Sequence, residues 1–237
     1  METQVRSAFR FIETKPMSGK ENMEFDMALF ADLEKRHVST TIRFYSWSRP
    51  CVSLGYSQGP EGLLDVSKLS RMGWDVVKRP TGGGAAFHNV DEVAYSLVAD
   101  ANSGVLSGGL VASYRAISSA IISGLQKLGI AANFSGHDKH MFEDVCFSYP
   151  TDYEILASGK KLVGSAQKRV KGILLQHGSI FVTRISDEIL SCVAGADIKK
   201  IQASYITAED ILGRKPAFDE VVSVLRAGFE VGFLLFE

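Results

Sequence analysis

Apolar residues recur along the chain at two different periods. From Asn22 to Lys35, Met23, Met27 and Phe30 recur at helical spacing with Leu33 after them, which predicts a helix. Between Leu110 and Leu128, Tyr114, Ile117, Ile121, Leu125 and Leu128 step by three and four, forming one apolar stripe. Gly129 follows where a left-handed residue ends a helix. A third amphipathic stretch, Phe218–Phe236, places Val221, Val222, Leu225, Phe229 and Phe233 on one side. Strand signals occupy Thr41–Trp47, Val52–Leu54, Trp74–Arg79 and Val93–Ala99, all rich in β-branched or aromatic residues. Residues Asp152–Val182 read as a three-strand antiparallel meander: Tyr153–Leu156, Lys161–Ala166 and Ile173–Val182, with turns at Ala157–Lys160 and Lys171-Gly172. Strands in runs, joined by tight turns, favour an α+β fold with helices packed on a sheet over an alternating βαβ arrangement.

Composition narrows the picture. Neither of the longest apolar stretches, Val93–Ala99 and Phe229–Phe236, approaches the ~20 residues of a membrane span, and the N-terminus has no signal-like core. With 26 Lys and Arg against 27 Asp and Glu, the net charge of −1 argues against bulk attraction to nucleic acid. No repeat or Pro/Ser-rich linker divides the chain, so one domain over residues 1–237 is expected, as a monomer. Cys51, Cys146 and Cys192 form no CxxC and cannot all pair, which suits a reducing cytoplasm.

Four stretches carry candidate chemistry. In Lys78-Arg-Pro-Thr-Gly-Gly-Gly-Ala-Ala-Phe-His88, Gly82, Gly83 and Gly84 bare the backbone after a strand, flanked by Arg79, Thr81 and His88. Such a loop suits an anion or a carbonyl oxygen, or is a plain hairpin loop; it lacks the Gly-Lys-Ser/Thr ending of a Walker loop. In Gly159-Lys-Lys-Leu-Val-Gly-Ser-Ala-Gln167, strand alternation puts Lys161, Val163 and Ser165 on one face and Leu162, Gly164 and Ala166 on the other. Lys161 beside small residues could stabilise a developing negative charge, although a turn lysine ordinarily faces solvent. His177, before Gly178 and Ser179, is a structural polar residue or a catalyst. Cys146 lies in a loop before the meander and would need a cation, with Lys161 a candidate, to act as a nucleophile. His137, Asp138 and His140 match no zinc spacing, and a solvated loop with no metal is expected there.

Taken in order, these motifs resemble the lipoate–protein ligase, octanoyltransferase and biotin–protein ligase superfamily. The likeness extends to Arg43-Phe-Tyr-Ser-Trp47, to Ser53-Leu-Gly-Tyr-Ser-Gln58 and to the N-terminal helix with Asp26. It implies a mixed β-sheet flanked by helices, forming a groove for an eight-carbon acyl chain. Thr81 and the glycine triplet would lie along that groove, and Lys161 would contact the acyl carbonyl. His88, Gly164, Ala166, His177 and Gly178 would line the acyl or adenylate pocket, with Arg79 and Ser165 beside them. Cys146-Phe-Ser-Tyr-Pro-Thr-Asp-Tyr-Glu154 is similar to the nucleophile segment of cysteine-dependent octanoyltransferases that modify the glycine cleavage H protein. The resemblance then implies octanoyl transfer from acyl carrier protein, through a Cys146 acyl-enzyme, to a lysine of a lipoyl domain or of the H protein. No cofactor is needed for that route. The alternatives are an ATP- and Mg-dependent ligase acting through an acyl-adenylate, to which Gly84 of the triplet points, and a non-catalytic acyl-binding protein. Asn89 stands where an aspartate is common in both enzyme groups.

Overall fold

A computed structural model describes residues 9–36, 40–134 and 154–234. The strands are β1 (Phe9–Glu13), β2 (Thr40–Tyr45), β3 (Cys51–Leu54), β4 (Asp75–Lys78), β5 (Ala86–His88), β6 (Val93–Asp100), β7 (Ala132–Phe134), β8 (Ile155–Ala157), β9 (Lys160–Val170) and β10 (Ile173–Ile180). The helices are α1 (Gly19–Arg36), α2 (Val66–Arg71), α3 (Gly109–Lys127), α4 (Asp187–Leu190), α5 (Ile198–Ser204), α6 (Ala208–Leu212) and α7 (Phe218–Leu234).

Seven strands form one mixed sheet in the order β1-β2-β6-β10-β9-β8-β7, and β4-β3-β5 form a second, small sheet. Only β1–β2 in the large sheet and β3–β4 in the small one are parallel. The predicted meander is present as β8-β9-β10. Its two hairpins turn on Ser158-Gly159 and Lys171-Gly172, all four with positive φ, the signature of a two-residue turn whose twist matches the strands. Tyr153, with which the first strand was expected to open, lies outside the described residues.

Alternation along β6 divides the molecule into layers. Tyr95, Leu97 and Ala99 enter the main core, shared with Ile117, Ile121 and Leu125 of α3 and Val221, Leu225 and Phe229 of α7. Ala94 and Val98 point the opposite way, to clusters holding Met23, Phe30 and Leu33 of α1. The apolar stripes of α3 and α7 thus pack on one face of the large sheet, as their spacing predicts. Helix α1 lies on the other face. The small sheet has a core of its own, in which Val52, Leu69, Trp74 and Phe87 meet Phe181, Ile189, Ile201 and Tyr205. No helix among the described residues is long and apolar enough to cross a membrane.

Candidate acyl-transfer site

The large sheet presents two cross-strand rows to α1 and the small sheet. Arg43, Ser96, His177 and Ala166 are register partners across β2, β6, β10 and β9. Tyr45, Ala94, Ser179 and Gly164 form the next row. Ala94, Gly164 and Ala166 carry almost no side chain, so the floor sinks along these two rows. Met23 of α1, Trp47, and Ser53, Ala86 and His88 of the small sheet wall the hollow, with Arg79 and Phe181. Counting the space open to solvent at its mouth, the hollow spans about 520 Å³.

Seven of the residues expected at the site line this cavity: Arg79, His88, Gly164, Ser165, Ala166, His177 and Gly178. Thr81 stands directly behind His177, its Oγ1 2.6 Å from Nε2. Gly82, Gly83 and Gly84 are not part of the wall. Gly82 and Gly83 are exposed, and the carbonyls of Gly82 and Gly84 each accept a 2.7 Å hydrogen bond from Arg79 Nη2. Arg79 also donates at 2.7 Å to the Ser53 carbonyl. One buried guanidinium therefore ties the glycine loop to β3 and fixes its path. Cys146 and the His137, Asp138 and His140 segment lie outside the described residues.

Lys161 corrects the simple alternation. The β8–β9 register shifts between Ile155 and Leu156, so that Ile155 faces Val163 while Leu156 faces Lys161. The extra residue, Leu162, is buried in the same core as Val163. Such a bulge reverses the pleat on one side of it. Lys161 therefore shares the face of Gly164 instead of that of Val163 and Ser165. A Cβ at position 164 would stand 3.1 Å from Lys161 Cε and 3.5 Å from its Nζ. Gly164 is the space in which the lysine chain lies. Lys161 is 1% exposed, and its ammonium donates to Glu154 Oε1. A carboxylate partner is what such a buried cation requires.

Gly178 has an equally specific cause. A Cβ there would come within 2.5 Å of the Gly164 carbonyl oxygen and 2.8 Å of Tyr95 Cε1. Its absence lets the Tyr95 hydroxyl reach Ser165 Oγ at 2.8 Å, while Gln176 Nε2 donates to the same hydroxyl at 2.7 Å. Burial pushes the Tyr95 pKa up to about 12, so this hydroxyl stays protonated.

Two carboxylate–imidazole–hydroxyl chains meet at the cavity. In one, Asp26 Oδ2 lies 3.2 Å from His177 Nδ1, whose Nε2 faces Thr81. In the other, Glu92 Oε2 lies 2.7 Å from His88 Nδ1, whose Nε2 is 2.7 Å from Ser53 Oγ. The Trp47 ring stacks on His88 with centroids 4.3 Å apart. Burial lowers the His177 pKa, with Asp26 opposing the shift, and burial raises that of Glu92, with His88 opposing it. Because these polar atoms are turned onto one another, the wall offers an entering ligand mainly carbon, which suits an acyl chain.

Asp26 and Arg43 were quoted only within the resembling motifs, and Glu92 and Glu154 not as site residues at all. Arg43 Nη1 donates to Asp26 Oδ1 at 2.8 Å, and both side chains are fully buried. The guanidinium also lies over the rings of Tyr45 and Phe25, at 4.0 and 4.3 Å. A polar residue at an apolar position of α1 is the one sequence signal that could have singled out Asp26. Asn89 donates to Thr183 Oγ1 and to the Arg184 carbonyl, both at 3.1 Å. An ionised aspartate there could not donate to the Arg184 carbonyl. Among the described residues no group of His, Cys, Asp and Glu is arranged to hold a metal ion.

Comparison with known proteins agrees with this architecture. An octanoyltransferase LipM of Carboxydothermus hydrogenoformans is 35% identical over 233 residues, covering 95% of this chain and 86% of that protein. An octanoyltransferase LipM of Moorella thermoacetica is 36% identical, covering 87% of this chain and 80% of that one. The fold superposes on lipoate-protein ligase A bound with ATP, with TM-score 0.78 and 22% identity over 94% of this chain and 84% of that one. It also superposes on a bi-partite lipoate protein ligase of Thermoplasma acidophilum, with TM-score 0.75 and 21% identity over 94% and 82% of the two chains. Residues 18–230 match the family described as the lipoyl protein ligase A/B catalytic domain. The mixed sheet with helices on its faces is thus a fold shared with solved lipoate-protein ligases, and this chain belongs to the lipoyl protein ligase A/B catalytic domain family.

Proposed function

We infer that this protein is an octanoyltransferase of lipoate biosynthesis. It moves an octanoyl group from acyl carrier protein to a lysine of a lipoyl domain or of the glycine cleavage H protein, through a thioester on Cys146. The observation that carries this conclusion is the similarity, at 35–36% identity over most of the chain, to proteins named octanoyltransferase. The cavity supports it chemically. Its wall is lined by groups whose polar atoms are paired among themselves, and Lys161 lies buried against Gly164, which lines it. An ammonium held there stabilises the oxyanion of a thioester under attack. Arg79 walls the hollow and ties down the Gly82–Gly84 loop, Thr81 backs His177, and Gly164, Ser165, Ala166, His88, His177 and Gly178 hold the chain. Thioester-to-thioester exchange followed by amide formation requires no ATP.

Intact-protein mass spectrometry tests this directly. Mixing with octanoyl-acyl carrier protein without ATP adds one octanoyl mass to the wild type and none to Cys146→Ala. If wild type gains no adduct, and modifies an apo acceptor only when given octanoate and ATP, the protein is a ligase and the transferase assignment is wrong.

A further inference from the structure

The cations around the groove are held in one way, with a single exception. Asp26 holds the Arg43 guanidinium, backbone carbonyls hold that of Arg79, and Glu154 accepts from the Lys161 ammonium. On the β9–β10 hairpin, Lys171 pairs with Glu34 at 2.8 Å, and Arg169 donates to the Gly109 carbonyl and to Ser113. Lys168 is half-buried, yet among the described residues its ammonium meets neither a carboxylate nor a carbonyl. It stands instead over the rings of Phe30 and Tyr56, 6.0 Å from each centroid. A cation drawn partly out of water without an anion beside it is a place for one to bind.

The place of Lys168 relative to the hollow points to the kind of anion. On β9 it shares the face of Gly164 and Ala166 and continues the floor two residues past Ala166. Phe30 lies two helical turns beyond Met23 on α1, and Tyr56 three residues beyond Ser53. Met23, Ser53 and Ala166 all line the hollow, so its floor and two of its walls run on and converge at Lys168. Tyr56 is 67% exposed, and its amide donates to the Thr81 carbonyl at 2.8 Å, beside the glycine loop. This end of the trough is therefore open to solvent. At the ~3.3 Å rise of a strand residue, Gly164 and Lys168 stand about 13 Å apart. A pantetheine arm has roughly 13 bonds from its sulfur to its phosphorus and, at ~1.2 Å of reach per bond, extends to about 15 Å. An acyl thioester whose chain fills the hollow can thus lay its phosphate on Lys168 with the arm nearly straight.

We propose that Lys168, framed by Phe30 and Tyr56, binds the phosphate of the donor's pantetheine arm and so holds the acyl thioester in the hollow. The contact is an ammonium–phosphate hydrogen bond at the mouth, away from the bonds that form and break. Lys168 is a binding residue, and its loss weakens capture of the donor while leaving the chemical step alone. The proposal rests on a thioester as the acyl source. An acidic surface of the carrier protein is the other anion that could meet this lysine, and the choice of donors separates the two.

The experiment measures initial rates of octanoyl transfer by the full chain from octanoyl-pantetheine, octanoyl-phosphopantetheine and octanoyl-acyl carrier protein. Lys168→Met removes the charge and keeps an apolar stem against the two rings. It is expected to raise KM about tenfold for both phosphate-bearing donors, with kcat unchanged, and to leave octanoyl-pantetheine unaffected. Lys168→Arg should behave like wild type. The wild-type preference for octanoyl-phosphopantetheine over octanoyl-pantetheine should shrink as salt is added. An equal rise in KM with octanoyl-pantetheine means a structural role and overturns the proposal. A rise confined to the carrier protein places Lys168 against the carrier surface and overturns it too, as does no rise with any donor. The wild type is read first. If it uses none of the thioesters and modifies an acceptor only with octanoate and ATP, the transferase reading fails and the donor-arm assignment falls with it, whereas a wild type that uses thioesters indifferent to Lys168 sinks this proposal alone.

Discussion

The two histidine chains at the groove are built from the same parts and are held differently. Asp26 is anchored by the buried guanidinium of Arg43, by Ser96 and by His177. Glu92 shares its buried position with His88, and its pKa is raised by burial. A low-dielectric site tolerates a carboxylate in proportion to the positive charge beside it. The Asp26 chain is therefore a fixed anion that dictates a tautomer. The Glu92 chain is held by its contact with His88, and stacking on Trp47 helps hold the imidazole. The lesson is that one permanent cation separates a fixed carboxylate from one that burial disfavours.

Removing that cation is the severest way to break the comparison. Arg43→Met leaves Asp26 buried without its ion-pair partner, and is expected to cost about 3–5 kcal/mol in urea denaturation. A loss no larger than that of Glu92→Gln would mean the two chains are equivalent. Glu92→Gln keeps a hydrogen-bonding partner for His88 and removes a charge that burial disfavours, so about 1 kcal/mol is expected. Ser53→Ala takes away one hydroxyl that bonds His88 at 2.7 Å and Arg79 at 3.3 Å. Its cost is expected at the low end of the ~0.5–1.5 kcal/mol for a neutral hydrogen bond.

The pH dependence of stability sharpens the contrast because the two shifts have opposite sign. With the His177 pKa lowered, the unfolded chain binds the extra proton. Wild type should lose stability relative to His177→Gln as pH falls through the ordinary histidine range near ~6.5. With the Glu92 pKa raised, the folded chain binds the extra proton. Wild type should lose stability relative to Glu92→Gln as pH rises above about 4.5 through the raised value. Denaturation curves at several pH values check both, and slopes of the same sign would refute the distinction.

Much of the frame was legible in the residues. The helices α1, α3 and α7 followed from three- and four-residue apolar spacing. The hairpins of the meander followed from Ser158-Gly159 and Lys171-Gly172, where few side chains other than glycine tolerate positive φ. Seven groove residues were named from motifs because small residues and glycines leave a local mark. Asp26, Glu92 and Glu154 left no comparable mark. A carboxylate looks the same in a sequence whether it is solvated or holds a buried histidine or lysine.

The sequence by itself determined which segments become helix and strand and where the groove could be deep, because both depend on periodicity and side-chain size over a few neighbouring residues. Only the tertiary structure decided the chemistry of the groove. The β9 bulge turned Lys161 onto the face of Gly164, and a bulge depends on the register of the partner strand. Asp26 and His177 are 151 residues apart and meet because α1 packs over β6 and β10. Arg79 closed on the glycine carbonyls because β3 brought Ser53 beneath it. In each case the energy comes from a partner that only the packed chain supplies, since a buried charge or an unpaired polar atom has no stable place without one.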